Sequence, residues 1–485
     1  MNKVTGLLLG LLYFVLPAQA TDLDELRALI EAQTRLMESQ TATIENLRQR
    51  IAGLETFQRE ALVNIPVTQA DDYTRPEQLP SGQISSSRGP IGEVDGEPSE
   101  DTGGPSGGAD IDTSQLPATS TVFASLVTRG DFPYSFKVPD TDVSLAFDGY
   151  IKADAIYDTD AVASGGRFFP DTVGLGTGSE ESQITAQQSQ FGALAQKPTR
   201  FGRVTGFFVG DFYGSGSQNF RLREGYGKIG NFMAGKTWST FMDLSALPQT
   251  VALTAPAGVM FKRPSMVRWS QPWGNGWSSN FAIEEPSTNT DVALPDGATQ
   301  VKRTPNGIAT LRVSSDAGNH LQLGGIVREL GLKEATGNEE FEIGWGLNLT
   351  GAARLFGRHK LVGGVSYGDG MGNYVGGFAT SPVGAGLSAN GDLESLRIYT
   401  AYGGYQHFWT SQLKSTVSYG IADVDNASGM PGNSVKRTQT ASANLIWSPF
   451  ERFGFGVEYL YGKREDEDNS DADNHRIQTA VQFGL

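Results

Sequence analysis

Residues 142–158, DVSLAFDGYIKADAIYD, alternate between apolar and polar side chains along their whole length. The apolar side of this repeat holds Val143, Leu145, Phe147, Ile151, Ala153 and Tyr157. A period of two indicates a β-strand with one apolar face and one polar face. The run is also much longer than the roughly five to six residues of an average globular strand. This stretch therefore predicts a strand long enough to cross a membrane.

The same alternation recurs along the rest of the chain, for example in RVTGFFVGDFY (203–213) and EIGWGLNLTGA (342–352). We predict sixteen strands, which begin near residues 143, 188, 202, 219, 232, 264, 276, 306, 320, 341, 359, 394, 411, 435, 452 and 474. Their connections alternate between short turns, such as 229–231 and 273–275, and long loops. The long loops are 158–187, 241–263, 286–305 and 368–393.

Long strands joined alternately by short turns and long loops are typical of a transmembrane β-barrel. The predicted fold class is all-β, an antiparallel transmembrane barrel of about 16 strands preceded by an N-terminal α-helical coiled coil. A barrel of this size leaves an aqueous channel, whereas eight strands would fill the interior with side chains. The alternative is a secreted β-sandwich or propeller, which would need a second sheet or a blade repeat to cover the apolar faces.

Composition excludes several functional classes. The chain has 485 residues, no Cys and only four His, so disulfides, Cys-ligated metals and thiol nucleophiles are excluded. A net charge of −16 argues against nucleic acid as a partner. Outside the first 20 residues, no apolar run approaches the roughly 18 residues that a transmembrane helix needs. We predict no cofactor, no metal site and no enzymatic activity, because none of the histidines has a convincing catalytic partner.

The N-terminal third differs from the rest. Residues 1–20 have the apolar core and the Ala-Gln-Ala end of a secretory signal peptide. Residues 21–61 keep an apolar heptad, with Leu23, Ile30, Met37, Ile44 and Ile51 seven residues apart, which predicts a coiled coil in the periplasm. Residues 62–134 are rich in Pro, Gly, Ser and Asp and predict a disordered linker. The barrel domain is assigned to 135–485.

Strand alternation also assigns side chains to the pore. Where apolar neighbours face lipid, the polar residues between them should line the channel. The predicted pore-lining, substrate-binding residues are Arg203, Arg221, Arg223, Lys236, Arg263, Arg268, Arg312, Arg328 and Arg397. A basic lining favours anions, although a porin of any selectivity carries some wall arginines. Residues 244–259 are too apolar for an exposed loop, so we expect them to pack inside the barrel.

Five segments carry a family resemblance: VPDTDVSLAFDGYIKADAIYD (138–158), FRLREGYGKIGNFMAGKTWSTFMDLSALP (220–248), MVRWSQPW (266–273), NLIWSPFERFGFGVEYLYGKRE (444–465) and HRIQ (475–478). With them the sequence resembles the DcaP-like outer-membrane porins over nearly all of 135–485. The resemblance implies a homotrimeric diffusion porin for small organic anions such as dicarboxylates, with the third long loop folded inward. It also places Arg221, Arg223 and Arg268 on the family's basic strand positions. Glu224 departs from that pattern and weakens the expected field beside Arg223.

The expected function is passive diffusion of small hydrophilic solutes across the outer membrane of a Gram-negative bacterium, with a preference for organic anions. The alternative is a structural protein that tethers the barrel to the periplasm or to peptidoglycan through the coil. Other expected partners are outer-membrane lipid and lipopolysaccharide. The acidic residues 465–473 either bind divalent cations there or form a solvated loop.

Overall fold

The computed structural model describes residues 128–162, 166–176, 178–214, 218–286 and 291–485. The predicted signal peptide, the coiled coil and the linker up to residue 127 lie outside the described residues. The long strands are β1 Ser144–Asp158, β2 Gln190–Thr199, β3 Gly202–Asp211, β4 Arg221–Ile229, β5 Phe232–Lys236, β6 Ser265–Gly274, β7 Trp277–Glu284, β8 Asn306–Ser314, β9 His320–Lys333, β10 Glu339–Arg354, β11 Lys360–Asp369, β12 Arg397–Phe408, β13 Leu413–Asp425, β14 Val435–Trp447, β15 Phe453–Asp466 and β16 Asp471–Gly484.

These strands form a closed antiparallel barrel. Each pairs with its neighbours in chain order, and β1 closes the ring by pairing with β2 on one side and with β16 on the other. In that closure Ser144 lies opposite Gln196, and Ile151 lies opposite Phe483. The predicted sixteen-stranded barrel is confirmed. Closure leaves no unpaired edge, as a sheet surrounded by lipid requires.

Several short elements decorate the barrel. The strands Phe136–Lys137 and Glu181–Thr185 pair with β1, and Thr299–Val301 pairs with β9. Ala385–Leu387 and Leu393–Ser395 form a separate hairpin. The short 3-10 helices are Pro170–Thr172, Leu244–Ala246, Gly372–Tyr374 and Gly376–Phe378. Within the described part of the chain, no helix is long and apolar enough to cross a membrane.

The wall has an apolar outer face and a mixed inner face. On β9, for example, Leu323 and Val327 are about half exposed, whereas their chain neighbours Gln322 and Arg328 are buried. The two sets alternate because successive side chains of a strand point to opposite faces. The turns at one end are tight: Asn275 and Gly276 between β6 and β7 both have positive φ, as two-residue hairpin turns require. Long loops occupy the other end.

The barrel interior contains a hydrophobic core. Phe241, Met260, Tyr374 and Phe378 come from loops and pack against inward side chains of the wall, among them Ile398. All five are at most 2% exposed. A barrel of this circumference would otherwise be a wide open tube. Inward-folded loops therefore decide where the channel runs.

Candidate functional site

Loop L3, residues 237–264, leaves β5 at the long-loop end and folds into the barrel. Phe241, Val251, Ala257 and Val259 are almost completely buried. The expectation that 244–259 packs against the inner wall is thus met by the structure. The loop runs along much of the inner wall and is held there by polar contacts at its start, its middle and its end.

Asp243 fixes the start of L3. Its carboxylate accepts hydrogen bonds from Arg312 at 3.0 Å, from His320 at 2.8 Å and from the Thr350 hydroxyl at 2.9 Å. Burial alone would raise the pKa of Asp243, but the hydrogen bond and charge of His320, with Arg312, hold it at about 2. The carboxylate is therefore ionised at neutral pH and ties L3 to three adjacent strands.

Glu458 on β15 holds the middle of L3. Its carboxylate accepts hydrogen bonds from the backbone N–H groups of Val251 at 2.7 Å and Ala252 at 3.1 Å. Lys152 on β1 donates from Nζ to the Val251 carbonyl at 2.6 Å. Further along, the Ala257 N–H donates to the Thr440 hydroxyl at 2.9 Å. L3 thus reaches the wall opposite its point of departure.

Loop L6, residues 370–396, also folds inward, and the sequence did not predict this. The Phe261 N–H donates to the Tyr374 carbonyl at 2.7 Å, and the Gly376 N–H donates to the Val259 carbonyl at 2.8 Å. These backbone contacts join L6 to L3. A Cβ on Gly377 would lie 2.6 Å from the Ala257 carbonyl oxygen, so only glycine permits this approach. The two loops form one layer inside the barrel.

Two buried aspartates attach neighbouring loops to L6. Asp171, in the loop between β1 and β2, accepts backbone and hydroxyl hydrogen bonds from Thr380 and Ser381 at 2.7–3.0 Å. Burial raises the pKa of Asp171 despite those four donors. Asp291, in the loop between β7 and β8, accepts at its backbone carbonyl from the Gly384 N–H of L6 at 2.7 Å, and its carboxylate forms an ion pair with Arg328 of β9. The inner loops are therefore interlocked.

A cluster of arginines lies on the inner side of β4–β6 and at the end of L3. This arginine cluster consists of Arg221 and Arg223 on β4, Arg268 on β6 and Arg263 in L3. Asp211 accepts from Arg221 Nε at 2.6 Å and from Arg223 Nη1 at 2.7 Å. Arg268 Nη2 donates to the Trp238 carbonyl at 2.8 Å. These contacts orient the guanidinium groups without neutralising all of them.

Some donors of this cluster have no protein partner. Buried N–H groups of Arg223 (Nε), Arg263 (Nη1), Arg268 (Nε) and Trp238 (Nε1) find no acceptor within the described part of the chain. The Arg263 guanidinium also stacks on the Trp238 ring, 4.6 Å from its centroid. A buried donor without an acceptor is unfavourable, so the cluster favours the entry of a solute that can accept hydrogen bonds.

Burial and neighbouring positive charges both act on the pKa of Arg263. Burial lowers it well below its ordinary value, and the charges of Arg223 and Arg221 lower it further. Arg167, in the loop after β1, adds a fifth cation, because its guanidinium lies near Arg221 and stacks 4.9 Å from the Phe169 centroid. An anion placed among these groups would relieve their mutual repulsion.

Carboxylates near the arginine cluster are fewer than its guanidinium groups. A bulge between β3 and β4, at Val209 and Gly210, lets both Arg223 and Glu224 point inward. Glu224 accepts from the Thr237 hydroxyl at 2.6 Å. Asp211 and Glu224, with Glu284 beside Arg268, therefore face five guanidinium groups, and the local charge remains positive.

Three predicted pore residues lie inward but elsewhere. Arg203 lies near the short-turn end and donates to Gln196 at 3.3 Å. Arg312 is occupied by Asp243, and Arg328 is occupied by Asp291 and by the Gly370 carbonyl at 3.1 Å. Arg312 and Arg328 thus hold L3, L4 (285–305) and L6 in place.

Two predicted pore residues point the other way. Arg397 shares its face of β12 with the exposed Tyr399, and pairs with Asp369 at 3.2 Å on the outer wall. The prediction for Arg397 was wrong because its apolar neighbours Leu396 and Ile398 do not face lipid but belong to the apolar cluster inside the barrel. Lys236 shares its face of β5 with the exposed Phe232, and so it also lies on the outer side.

Sequence reasoning missed other residues of the site. Arg167 lies in a long loop without strand alternation, so no pattern assigned its direction. Lys262 directly precedes Arg263 in L3, and the inward folding expected for that loop could have identified it. Its ammonium lies 4.5 Å from the Tyr374 centroid and donates to Asn373.

Comparisons with known proteins agree with this architecture. The family model of the DcaP outer membrane protein matches residues 131–483. The solved outer membrane channel DcaP of Acinetobacter baumannii superposes with a TM-score of 0.65 at 20% identity, covering 72% of this chain and 99% of that one. An anion-selective porin from Comamonas acidovorans gives 0.51 at 10% identity, covering 71% and 100%. A search of curated proteins finds no match. Since the family model spans most of the sequence, the chain belongs to the DcaP family of outer-membrane porins.

Proposed function

We propose that this outer-membrane porin passes small organic anions by passive diffusion and prefers dicarboxylates. The observation that carries the proposal is the arginine cluster, where unpartnered guanidinium donors meet in a partly buried site. In a narrow passage of low dielectric, fixed positive charge acts on an anion more strongly than in bulk water. The Comamonas acidovorans porin of similar fold is anion-selective, which supports the same direction.

A dicarboxylate fits the spread of the cluster. Arg221 and Arg223 share Asp211, whereas Arg263 and Arg268 lie around Trp238. Each of the two carboxylates of a dicarboxylate can bind a guanidinium group at one of these positions. Such ion pairs are bidentate and charge-assisted. Binding has to remain weak, because a conducting site must release its solute.

The proposed assembly is a homotrimer with the N-terminal coil, residues 21–61, in the periplasm. The heptad repeat needs partner helices, and three copies of one chain supply them. We further propose that lipopolysaccharide surrounds the long-loop end of the barrels, and that the coil offers a contact to peptidoglycan.

The test is the reversal potential of single channels in a potassium chloride gradient. Arg223 and Arg268 are replaced together by Gln, which keeps hydrogen-bonding capacity and removes two charges. The matched control is Arg397→Gln, which removes a guanidinium from the outer face. We expect anion selectivity in the wild type and in the control, and a clear loss in the double variant. Selectivity should fade above about 1 M salt, where the Debye length is near 3 Å.

Flux measurements complete the test. In liposomes, the double variant should lose severalfold more succinate flux than flux of a neutral sugar of similar size. Equal losses would mean that these arginines shape the pore and do not select charge. A cation-selective wild type would overturn the proposal.

A further inference from the structure

Glu224 is a buried carboxylate beside the arginine cluster. It is 1% exposed, and the positive charges of Arg263, Arg223 and Arg268 all act on it. Its Oε2 accepts a hydrogen bond from the Thr237 hydroxyl at 2.6 Å. Burying a carboxylate is costly unless opposite charge and hydrogen bonds compensate it. The three guanidinium groups therefore stabilise Glu224, and Glu224 in turn cancels part of their positive charge.

The position of Thr237 in the chain brings Glu224 close to two of these arginines. Thr237 directly precedes Trp238, whose carbonyl accepts from Arg268 Nη2 at 2.8 Å. The Trp238 ring lies 4.6 Å from the guanidinium of Arg263, measured from the ring centroid. The hydroxyl that holds Glu224 is thus one residue away from the groups that orient both guanidinium groups. The carboxylate is fixed in the same way as the arginines that it opposes.

The two carboxylates on this side of the lumen, Asp211 and Glu224, use their charges differently. Asp211 forms direct ion pairs with Arg221 at 2.6 Å and with Arg223 at 2.7 Å. Its charge orients those two guanidinium groups. Glu224 has a neutral hydrogen-bond partner, the Thr237 hydroxyl. Its negative charge therefore lowers the positive potential that a solute meets, and it does so for several arginines together.

The bulge in β4 is the feature that turns Glu224 towards the lumen. Val209 pairs with Glu224 and Gly210 pairs with Leu222, so Arg223 is the extra residue. On a regular strand Glu224 would share the face of Leu222, which is 50% exposed on the outer wall. A carboxylate facing lipid there would be unfavourable. The bulge therefore adds an acidic group to an inner face that already carries Arg223.

We propose that Glu224 keeps anion binding at the arginine cluster weak enough for the solute to leave quickly. Guanidinium groups without this counter-charge would hold a dianion more tightly, and a solute that stays bound blocks the passage. The fixed carboxylate repels the bound anion and so speeds its release. Coulomb energy scales with the charge of the solute, so Glu224 acts about twice as strongly on a dicarboxylate as on a monocarboxylate. The inference rests on the proposed function and adds a specificity-determining residue to the same site.

The test measures how succinate and acetate block the chloride current through single channels of the full-length protein. Glu224→Gln keeps an acceptor for Thr237 and removes the charge, Glu224→Ser is a second neutral variant, and Glu224→Asp keeps the charge. The matched control is Glu329→Gln, which removes a carboxylate that pairs with Arg303 on the face of the exposed Val327. In Glu224→Gln the half-blocking concentration should fall about tenfold for succinate and about threefold for acetate, because the Coulomb energy scales with solute charge. The residence time of succinate should lengthen accordingly.

Further readouts separate the charge of Glu224 from its shape. Liposome flux of a neutral sugar should be the same in the wild type and in every variant, and Glu224→Asp and Glu329→Gln should release succinate as fast as the wild type. An unchanged residence time in both neutral variants would overturn the inference and leave the proposed anion preference intact. So would equal shifts for succinate and acetate, or a matching change in sugar flux, because these indicate a change of pore shape. A cation-selective wild type would overturn the anion preference and this inference together.

Discussion

The two halves of the inner wall have opposite chemistry. On β3–β6 the inward residues include Arg221, Arg223 and Arg268, whose guanidinium groups border the lumen. On β9–β13 they include Ile326 and Ile398, which are buried against L3 and L6. Both halves obey the same strand alternation. The pleat of a strand therefore decides only which side of the wall a residue faces, whereas the loops decide what packs against that side.

Inward arginines of the two walls have different roles. Arg312 and Arg328 are inward arginines like Arg223, yet each is held by a loop aspartate. Their charge fixes the loops, and the arginine cluster keeps donors for a solute. Pore selectivity should therefore depend on the wall that carries the arginine cluster, β3–β6, and pore width should depend on the wall that L3 and L6 cover, β9–β13.

The largest expected change is in single-channel conductance, after removal of the part of L3 that covers the inner wall. Replacing residues 244–259 of L3 by a short Gly-Ser linker removes the apolar segment held by Glu458 and Thr440. We expect single-channel conductance to rise severalfold, because the lumen widens. Anion selectivity should fall, because solutes then pass further from the cluster.

A matched deletion controls for damage to the barrel. Shortening the exposed loop 335–337 between β9 and β10 should leave conductance unchanged. If removal of 244–259 also leaves conductance unchanged, the constriction lies elsewhere, and the contrast between the two halves has no consequence for transport.

The barrel could be predicted from sequence because strand alternation is a local signal. All sixteen predicted starts fall close to observed strands, and even β5 was found from its short run beginning at 232. Alternation also placed Arg221, Arg223 and Arg268 correctly. Each of these lies beside an apolar residue that truly faces outward, such as Leu222 or Val267.

The errors arise where long-range contacts invert or shift the local pattern. Leu396 and Ile398 satisfy the same apolar pattern as lipid-facing residues, but they pack on L6, which sequence alone could not fold. Glu224 points inward because of a bulge, and a single extra residue leaves no trace in the alternation. The direction of a side chain was therefore predictable only where the strand is regular and its apolar neighbours face outward.

A smaller expected effect is on stability: loss of a buried ion pair should destabilise the barrel, and loss of an outer ion pair should not. Asp243→Asn leaves Arg312 without its buried counter-charge, and such a loss costs about 3–5 kcal/mol. Asp369→Asn removes an outer-face pair with Arg397, where solvent screens the charges, so stability should hardly change. Urea unfolding in detergent micelles measures both variants.

Single-channel recordings supply the functional counterpart. The Asp243 variant should show noisier current, because the start of L3 is released, and the Asp369 variant should resemble the wild type. Similar destabilisation by both substitutions would mean that L3 is not held by its polar anchor.

The smallest effect concerns Lys262, which lies where L3 meets L6. Burial, followed by the charge of Arg328, lowers its pKa to about 8, although Asp291, Glu284 and Glu285 oppose the shift. An unfolded chain holds this proton up to the ordinary lysine pKa of about 10.4. Between those two values the unfolded state binds more protons than the folded state. Stability should therefore rise with pH across this window and be lowest below about pH 8.

Lys262→Met should remove this dependence, because a side chain of similar length carries no proton to lose. The measurement is the urea midpoint of both proteins between pH 7 and about pH 10.5. Raising the pH through about 8 should also weaken anion selectivity slightly in the wild type, since one lumen charge disappears. Arg223 and Arg268 stay charged, so most of the selectivity should remain. If anion selectivity vanished completely above pH 8, the decisive charge would be Lys262, where L3 meets L6. The arginine cluster on β3–β6 would then not be the selective wall.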